Sequence, residues 1–173
     1  MRRFLLQMAG DSGTGKSTLA RAIGRATGAV VLDKDVLQTA LLDDGASAAS
    51  NGLAYATMFA LARSLLAQHH SVILDSPAYF PSIRERGLDI AEGGGAVYRL
   101  IESCCPDETE HEQRLATRES LRSQPVSLAE AVSARSRPGI VALSEPHLVV
   151  DTRRPLDVCL AEALAYLEHD DKG

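Results

Sequence analysis

Short apolar runs alternate with longer amphipathic stretches along the whole chain. Residues 4–9 form a largely apolar run closed by Gly10, the pattern of a buried strand. Leu19, Ala22, Ile23 and Ala26 then fall at i, i+3, i+4 and i+7, one helical face stopped by Gly28. Residues 29–32 read as a second strand ending at Asp33-Lys34-Asp35, and residues 36–42 as a helix. The small, polar stretch 43–52 predicts a mobile loop. Residues 53–68 give the clearest helix, with Met58, Leu61, Ala62, Leu65 and Leu66 in register. A third strand at 71–74 is closed by Asp75-Ser76-Pro77, and a helix at 83–92 by the Gly93-Gly94-Gly95 turn. Residues 96–102 predict a fourth strand, 106–121 a polar helix, and 128–135 another helix before Pro138-Gly139. A fifth strand at 147–150 precedes a last helix at 155–167, which buries Leu156, Leu160, Ala163, Leu164 and Leu167.

Apolar strands alternating with helices are the mark of a parallel sheet covered on both faces. The expected fold class is therefore α/β, a three-layer α/β/α sandwich around a five-stranded parallel sheet, with one domain over residues 1–173. Right-handed crossovers place the loops that carry chemistry at the carboxyl ends of the strands.

Composition changes this picture little. Aromatic residues make up 4% with no Trp, which suits helices on a sheet better than an all-β sandwich. The net charge of −5 and a pI near 5.5 argue against a broad basic field for nucleic acid, without excluding a local basic groove. Cys104, Cys105 and Cys159 have no metal-ligand spacing and read as small apolar residues at a strand end and on a helix. No secretory leader pattern and no apolar run of about 18 residues are visible, so a soluble, cytoplasmic protein away from membranes is expected.

The strongest chemical signal is Gly10-Asp11-Ser12-Gly13-Thr14-Gly15-Lys16-Ser17, which satisfies G-x-x-x-x-G-K-[ST] between an apolar strand and an amphipathic helix. Glycines let several backbone N–H groups point at one anion, and the helix start adds its positive dipole end. Ser12, Gly13, Thr14, Gly15, Lys16, Ser17 and Thr18 are the expected phosphate contacts, with ATP as the nucleotide. In this motif Lys16 reaches the β- and γ-phosphates and the Ser17 hydroxyl ligates Mg²⁺. Val72-Ile73-Leu74-Asp75 ends an apolar strand in a carboxylate, so Asp75 is a candidate magnesium ligand, a turn or helix cap being the plain alternative.

No N-K-x-D or T-K-x-D follows a strand, which leaves guanine specificity unsupported, and L-S-G-G-Q is absent. Two features favour a phosphotransferase over a switch or motor. Asp35 can accept the proton of an attacking hydroxyl, with Asp33 the alternative base or a magnesium residue acting through water; a helix cap is the competing role. Arg114, Arg118 and Arg122, at i, i+4 and i+8, predict one helical stripe that can close over the transferred phosphate. Its plain alternative is a solvated face, with Glu110 and Arg114 as an i, i+4 pair.

The stretches AGDSGTGKSTLA, VVLDKDVLQTAL, SVILDSP, RLATR and VVDTRRPLDVCLAEAL span most of the chain. They resemble the small P-loop kinases of the adenylate-kinase-like superfamily, AAA-type kinases related to chloramphenicol phosphotransferase, zeta toxin and polynucleotide 5′-hydroxyl kinases. The resemblance implies a P-loop NTPase fold with a helical lid at about 106–138, and Asp35 as base or acceptor-binding carboxylate. It also implies Arg114 and Arg118 as lid residues that act with Lys16 in catalysis, and nucleotide-base contacts at 151–154. It departs at Gln38, where many relatives carry an Arg, so Arg84 or Arg86 is the expected substitute.

The acceptor is expected to be a small hydroxyl compound such as an antibiotic, nucleoside or sugar-like alcohol, held near Asp35, Tyr55, Tyr79, Phe80 and Arg86. Met58 and Phe59 are expected in the core instead. A nucleic-acid 5′-hydroxyl, a nucleotide sugar, and a regulatory ATP-binding module without transfer are the alternatives.

Overall fold

In the computed structural model, which describes residues 2–45, 50–125 and 127–169, five parallel strands lie in the order β2-β3-β1-β4-β5. They are β1 (Phe4–Ala9), β2 (Val30–Asp33), β3 (Val72–Asp75), β4 (Val97–Cys104) and β5 (Leu148–Asp151). The helices are α1 (Lys16–Thr27), α2 (Lys34–Asp43), α3 (Ser50–Ala67), α4 (Pro81–Gly93), α5 (Glu108–Thr117), α6 (Leu128–Arg135) and α7 (Leu156–Glu168). The expected α/β sandwich is present, with each strand at its expected place.

Strand β1 is central and wholly buried, and its alternation decides which layer each residue serves. Phe4, Leu6 and Met8 meet α1 and α7 through Leu19, Ile23, Cys159 and Ala163. Leu5 faces the opposite layer, where Met58, Phe59, Ala62 and Leu66 of α3 pack with Ile90 and Ala91 of α4. Gln7, on that second face and fully buried, accepts from the Tyr98 hydroxyl (2.9 Å) and donates to the Ile83 carbonyl (3.3 Å). Its polar groups are therefore satisfied without water.

Close approach of α1 to β2 depends on Gly24, where a Cβ would stand 2.7 Å from Val31 Cγ2. Gly28 ends α1 in the left-handed region (φ 74°), and its N–H returns to the Gly24 carbonyl.

Several helix boundaries differ from the sequence expectation. Helix α2 runs on to Asp43 and α3 starts at Ser50, so both ends of the expected loop 43–52 are helical; residues 46–49 lie outside the described ones. Pro81 opens α4 at a first-turn position, where its missing N–H costs nothing. Most consequentially, α5 stops at Thr117, not at 121, and Arg118 is extended (φ −74°, ψ 150°). Thr117 turns its hydroxyl back to the Gln113 carbonyl, and a new turn closes from the Gln124 N–H to the Leu121 carbonyl. Among the described residues no helix is long and apolar enough to cross a membrane.

Candidate active site

The carboxyl ends of β1, β2 and β3 open into one cleft of about 1490 Å³. Its phosphate loop is built by three glycines with positive φ, Gly10 (137°), Gly13 (88°) and Gly15 (79°). Gly10 shows why only glycine serves: a Cβ there would sit 2.4 Å from Ser103 Oγ and 2.5 Å from its carbonyl oxygen. Gly15 is also the N-cap of α1, so the first-turn N–H groups face the loop with no side-chain cap taking them.

Ser12, Gly13, Gly15, Lys16, Ser17 and Thr18 all line the cleft. Thr14 does not. Its hydroxyl lies beneath the loop, donating to the Asp11 carbonyl (2.8 Å) beside Ser103 Oγ (3.0 Å), and so holds the loop's shape. Lys16 is buried, and its Nζ donates to Asp75 Oδ1. Burial works against the Lys16 ammonium, but the adjacent Asp75 charge outweighs it and holds the pKa above the ordinary value.

Asp75 itself is 1% exposed, and its Oδ2 has no hydrogen-bond partner. A buried carboxylate oxygen left open in this way suits a hard cation or its water, and Ser17 lines the cleft. Asp33, expected at the metal, has a different place. Its Oδ1 caps α2 by accepting from the Asp35 and Val36 N–H groups (3.0 and 3.3 Å), and its Oδ2 pairs with Arg21 (3.2 Å). The cap is thus Asp33, which leaves the Asp35 side chain free to face the cleft. Among the described residues no group of three or more His, Cys, Asp or Glu forms a metal cluster.

Asp35 lies across the cleft from the loop, flanked by Lys34 and by Gln124, whose Nε2 donates to Asp35 Oδ2 (3.1 Å). Burial pushes the Asp35 carboxyl up, but the Lys34 and Lys16 charges and the Gln124 amide bring it below its ordinary value. Lys34 is buried too; it donates to Gln38 Oε1 (2.8 Å) and lies 5.9 Å from the centre of the Tyr55 ring.

The arginine stripe is corrected. Because α5 ends at Thr117, Arg114, Arg118 and Arg122 do not share a helix face. Arg114 makes the expected pair with Glu110 (2.6 Å) and also donates to Thr152 Oγ1 (2.8 Å) and the Thr152 carbonyl (2.9 Å). Arg118 reaches the phosphate loop at Ser12 Oγ (3.0 Å). Arg122 is exposed and meets Asp43 and the Leu42 carbonyl, both at 3.3 Å.

Tyr55, Tyr79 and Phe80 line the cleft, whereas Met58 and Phe59 are core, as expected. The Tyr79 hydroxyl donates to Glu102 (3.0 Å), and the Arg135 guanidinium covers its ring 3.1 Å from the centroid. Arg84 and Arg86 do not supply the cleft with charge. Arg84 is buried against Glu145 (2.8 Å) and the Ala78 carbonyl (2.9 Å), and Arg86 is exposed against the Phe59 ring (5.1 Å). All three cysteines are free, and Cys105 and Cys159 are buried, in keeping with their apolar reading.

Three supporting residues escaped the sequence reading. His111 Nε2 donates to the Ser12 carbonyl (2.6 Å), Thr152 Oγ1 donates to the Thr14 carbonyl (2.7 Å), and Gln124 meets Asp35. Thr152 lay within the stretch 151–154 flagged for base contacts; His111 and Gln124 carried no signal. The cleft's charge also opposes that of the chain. Nine lysines and arginines line it against four aspartates and glutamates, although the chain's net charge is −5.

A family described as an AAA domain matches residues 5–140. No curated protein matches the sequence. Among solved structures, a candidate kinase from Chloroflexus aurantiacus J-10-fl superposes with a TM-score of 0.75 at 20% identity, covering 97% of this chain and 100% of its own. The APS kinase of Mycobacterium tuberculosis, in complex with AMPPNP and APS, gives 0.71 at 21% identity over 97% and 99% of the two chains. A gluconokinase from Sinorhizobium meliloti 1021 gives 0.64 at 22% identity over 96% and 93%. At these identities the likeness establishes the P-loop α/β fold.

Proposed function

This chain belongs to the AAA-domain family, and from that premise we propose that it transfers the γ-phosphate of ATP to the hydroxyl of a small acceptor. The observation that carries the reading is that Lys16, Arg118 and Asp35 face one cleft, two cations at the phosphate loop and a carboxylate across from them. A switch or motor needs the first two; a carboxylate opposite them suits removal of a proton from an incoming alcohol.

In this reading Asp35 takes the acceptor's proton as the acceptor oxygen bonds to the γ-phosphorus. The bond from that phosphorus to the β–γ bridging oxygen breaks, and ADP leaves. Lys16 and Arg118 offset charge on the phosphate oxygens, and Arg114 supports the donor side through Thr152. Ser17 and Asp75 are the residues that would hold Mg²⁺, Asp33 being engaged as the cap of α2 and with Arg21. The ion would supply charge neutralisation on the β- and γ-phosphates.

The kinase likeness of the neighbours supports the donor half, and the sugar-type acceptor in one neighbour's name supports a polar alcohol. Tyr55 and Tyr79 would wall the acceptor side. The test is a screen of hydroxyl compounds for ATP-dependent gain of phosphate by mass spectrometry, run beside Asp35→Asn. Equal product from that variant would sink the base assignment, and slow hydrolysis with no acceptor would favour a regulatory ATP-binding module.

The basic lining of the cleft favours a second reading, a 5′-hydroxyl of nucleic acid. A single-stranded oligonucleotide in the same screen separates the two, since only its phosphorylation would weaken steeply with salt.

A further inference from the structure

Between α5 and α6, residues 118–125 run without helix or strand from the phosphate loop to α2. At one end Arg118 donates to Ser12 Oγ (3.0 Å) and to the Pro125 carbonyl (2.5 Å). At the other, Ser123 Oγ donates to the Asp35 carbonyl (3.0 Å) and accepts from Thr39 Oγ1 (3.1 Å). Arg122 meets the end of α2, and the Gln124 Nε2 donates to Asp35 Oδ2. Lys34 holds the other oxygen, Oδ1. Both oxygens of this carboxylate are therefore engaged, one of them by a neutral N–H donor from outside α2.

No residue of 118–125 is fully buried, so hydrogen bonds rather than apolar packing hold the segment down. Segments held in this way open at low cost compared with the core. The Gln124 amide also makes the kind of contact that an acceptor hydroxyl makes with a general base, an N–H or O–H donated to one carboxylate oxygen.

We infer that residues 118–125 are a strap that restrains Asp35 from activating water, with Gln124 holding the oxygen that an acceptor hydroxyl takes over. The inference rests on the reading of Asp35 as the base. The reaction it suppresses is hydrolysis: a water oxygen bonds to the γ-phosphorus, Asp35 takes the proton, and the bond to the bridging oxygen breaks to release ADP. The same contacts explain how the strap answers to the donor, since Arg118 joins it to the loop that binds the phosphates. An acceptor that displaces Gln124 frees one oxygen of Asp35 and relieves one of the interactions that lower its basicity.

The experiment uses the full chain and needs no acceptor. Phosphate release from ATP is measured for wild type, Gln124→Ala, Asp35→Asn and the double variant, with AMPPNP affinity measured by calorimetry for each and for Lys16→Ala. Gln124→Ala is expected to raise hydrolysis about tenfold, the scale of one hydrogen bond to a charged group, with AMPPNP affinity unchanged. The double variant is expected to fall back to the Asp35→Asn rate. Unchanged or slower hydrolysis in Gln124→Ala would overturn the strap, the slower rate marking Gln124 as a residue that positions the base. A rise that persists in the double variant would overturn it as well, as would weaker AMPPNP binding by Gln124→Ala. Failure of wild type to bind AMPPNP, or binding untouched by Lys16→Ala, would instead overturn the donor-site reading itself.

Discussion

Lys16 Nζ donates to Asp75 Oδ1, while the other oxygen of Asp75 is buried without a hydrogen-bond partner. The pair therefore has both a structural and a chemical role, and mutagenesis separates them. Lys16→Met leaves a buried carboxylate uncompensated, which costs roughly 3 to 5 kcal/mol. It should also abolish AMPPNP binding. Adding Asp75→Asn should recover most of the lost stability in urea unfolding but none of the binding. A double variant that stays as unstable as the single one would show that the ion pair is not the cause.

Asp35 gives a pH prediction. Burial raises its pKa, but the Lys34 charge and its other partners leave it lower than usual, so the folded value lies below the unfolded one. Its contribution to stability is then complete above about pH 4, the unfolded value, and is lost as pH falls through the folded value. For the same reason the acid limb of kcat/KM, which reports the free enzyme, should lie below about pH 4, with no fall between pH 5 and 7. Asp35→Asn should keep AMPPNP affinity within about twofold, remove transfer, and flatten the acid slope of stability relative to wild type. A limb near pH 6 would overturn the assignment of the base.

Arg118 and Arg122 test the corrected reading of the arginine stripe. Of the two only Arg118 reaches the phosphate loop, so Arg118→Ala should lower turnover by about a thousandfold, the lower end of the range for arginines that meet a transferred phosphate. Arg122 is exposed and its ion pair with Asp43 should be worth under about 1 kcal/mol, so Arg122→Ala should leave turnover within about threefold. Equal losses in steady-state assays would restore the shared helical stripe.

The same pair shows what the sequence could and could not reveal. The phosphate loop was legible because its glycines, lysine and serine are consecutive and the strand and helix around it have strong periods. Lys16 and Asp75 were legible one at a time, Lys16 at the start of the helix after the glycine-rich loop and Asp75 at the end of an apolar strand. Their pairing depends on two strands lying side by side, which one period cannot state. The arginine stripe failed for a local reason: helical spacing persisted on paper past Thr117, but the chain had already left the helix. His111 and Gln124 were invisible because each acts on a residue about ninety or more positions away, Ser12 and Asp35 respectively. Arg86 was expected at the acceptor as a substitute for the Arg that Gln38 replaces in the resemblance, and α4 turns it onto Phe59 outside the cleft.

Gly10 and Gly28 both have positive φ, yet they should differ when changed to alanine. At Gly10 the new Cβ would collide with Ser103, backbone included, so Gly10→Ala should displace the loop and weaken AMPPNP binding by at least about tenfold. At Gly28 nothing lies within 4 Å, and the cost should be only the left-handed strain, about 1 kcal/mol, with binding unchanged. Calorimetry of both variants beside thermal unfolding checks the contrast. A Gly10→Ala protein with wild-type affinity would mean that the loop tolerates the shift.

Thr152 joins the last strand to the donor site through its hydroxyl. That group donates to the Thr14 carbonyl (2.7 Å) and accepts from Arg114 (2.8 Å), so it fixes the loop's backbone and Arg114 together. Thr152→Val keeps the shape and removes the hydroxyl, leaving the Thr14 carbonyl short of a donor and Arg114 with the Thr152 carbonyl and Glu110. The loss of the hydroxyl's two part-buried hydrogen bonds should appear as a KM for ATP raised about tenfold, with kcat reduced less than about threefold. Thr152→Ser should restore KM, because a hydroxyl returns to the same carbonyl. If valine raises neither KM nor the AMPPNP dissociation constant, Thr152 serves packing alone, and Arg114 is held by Glu110.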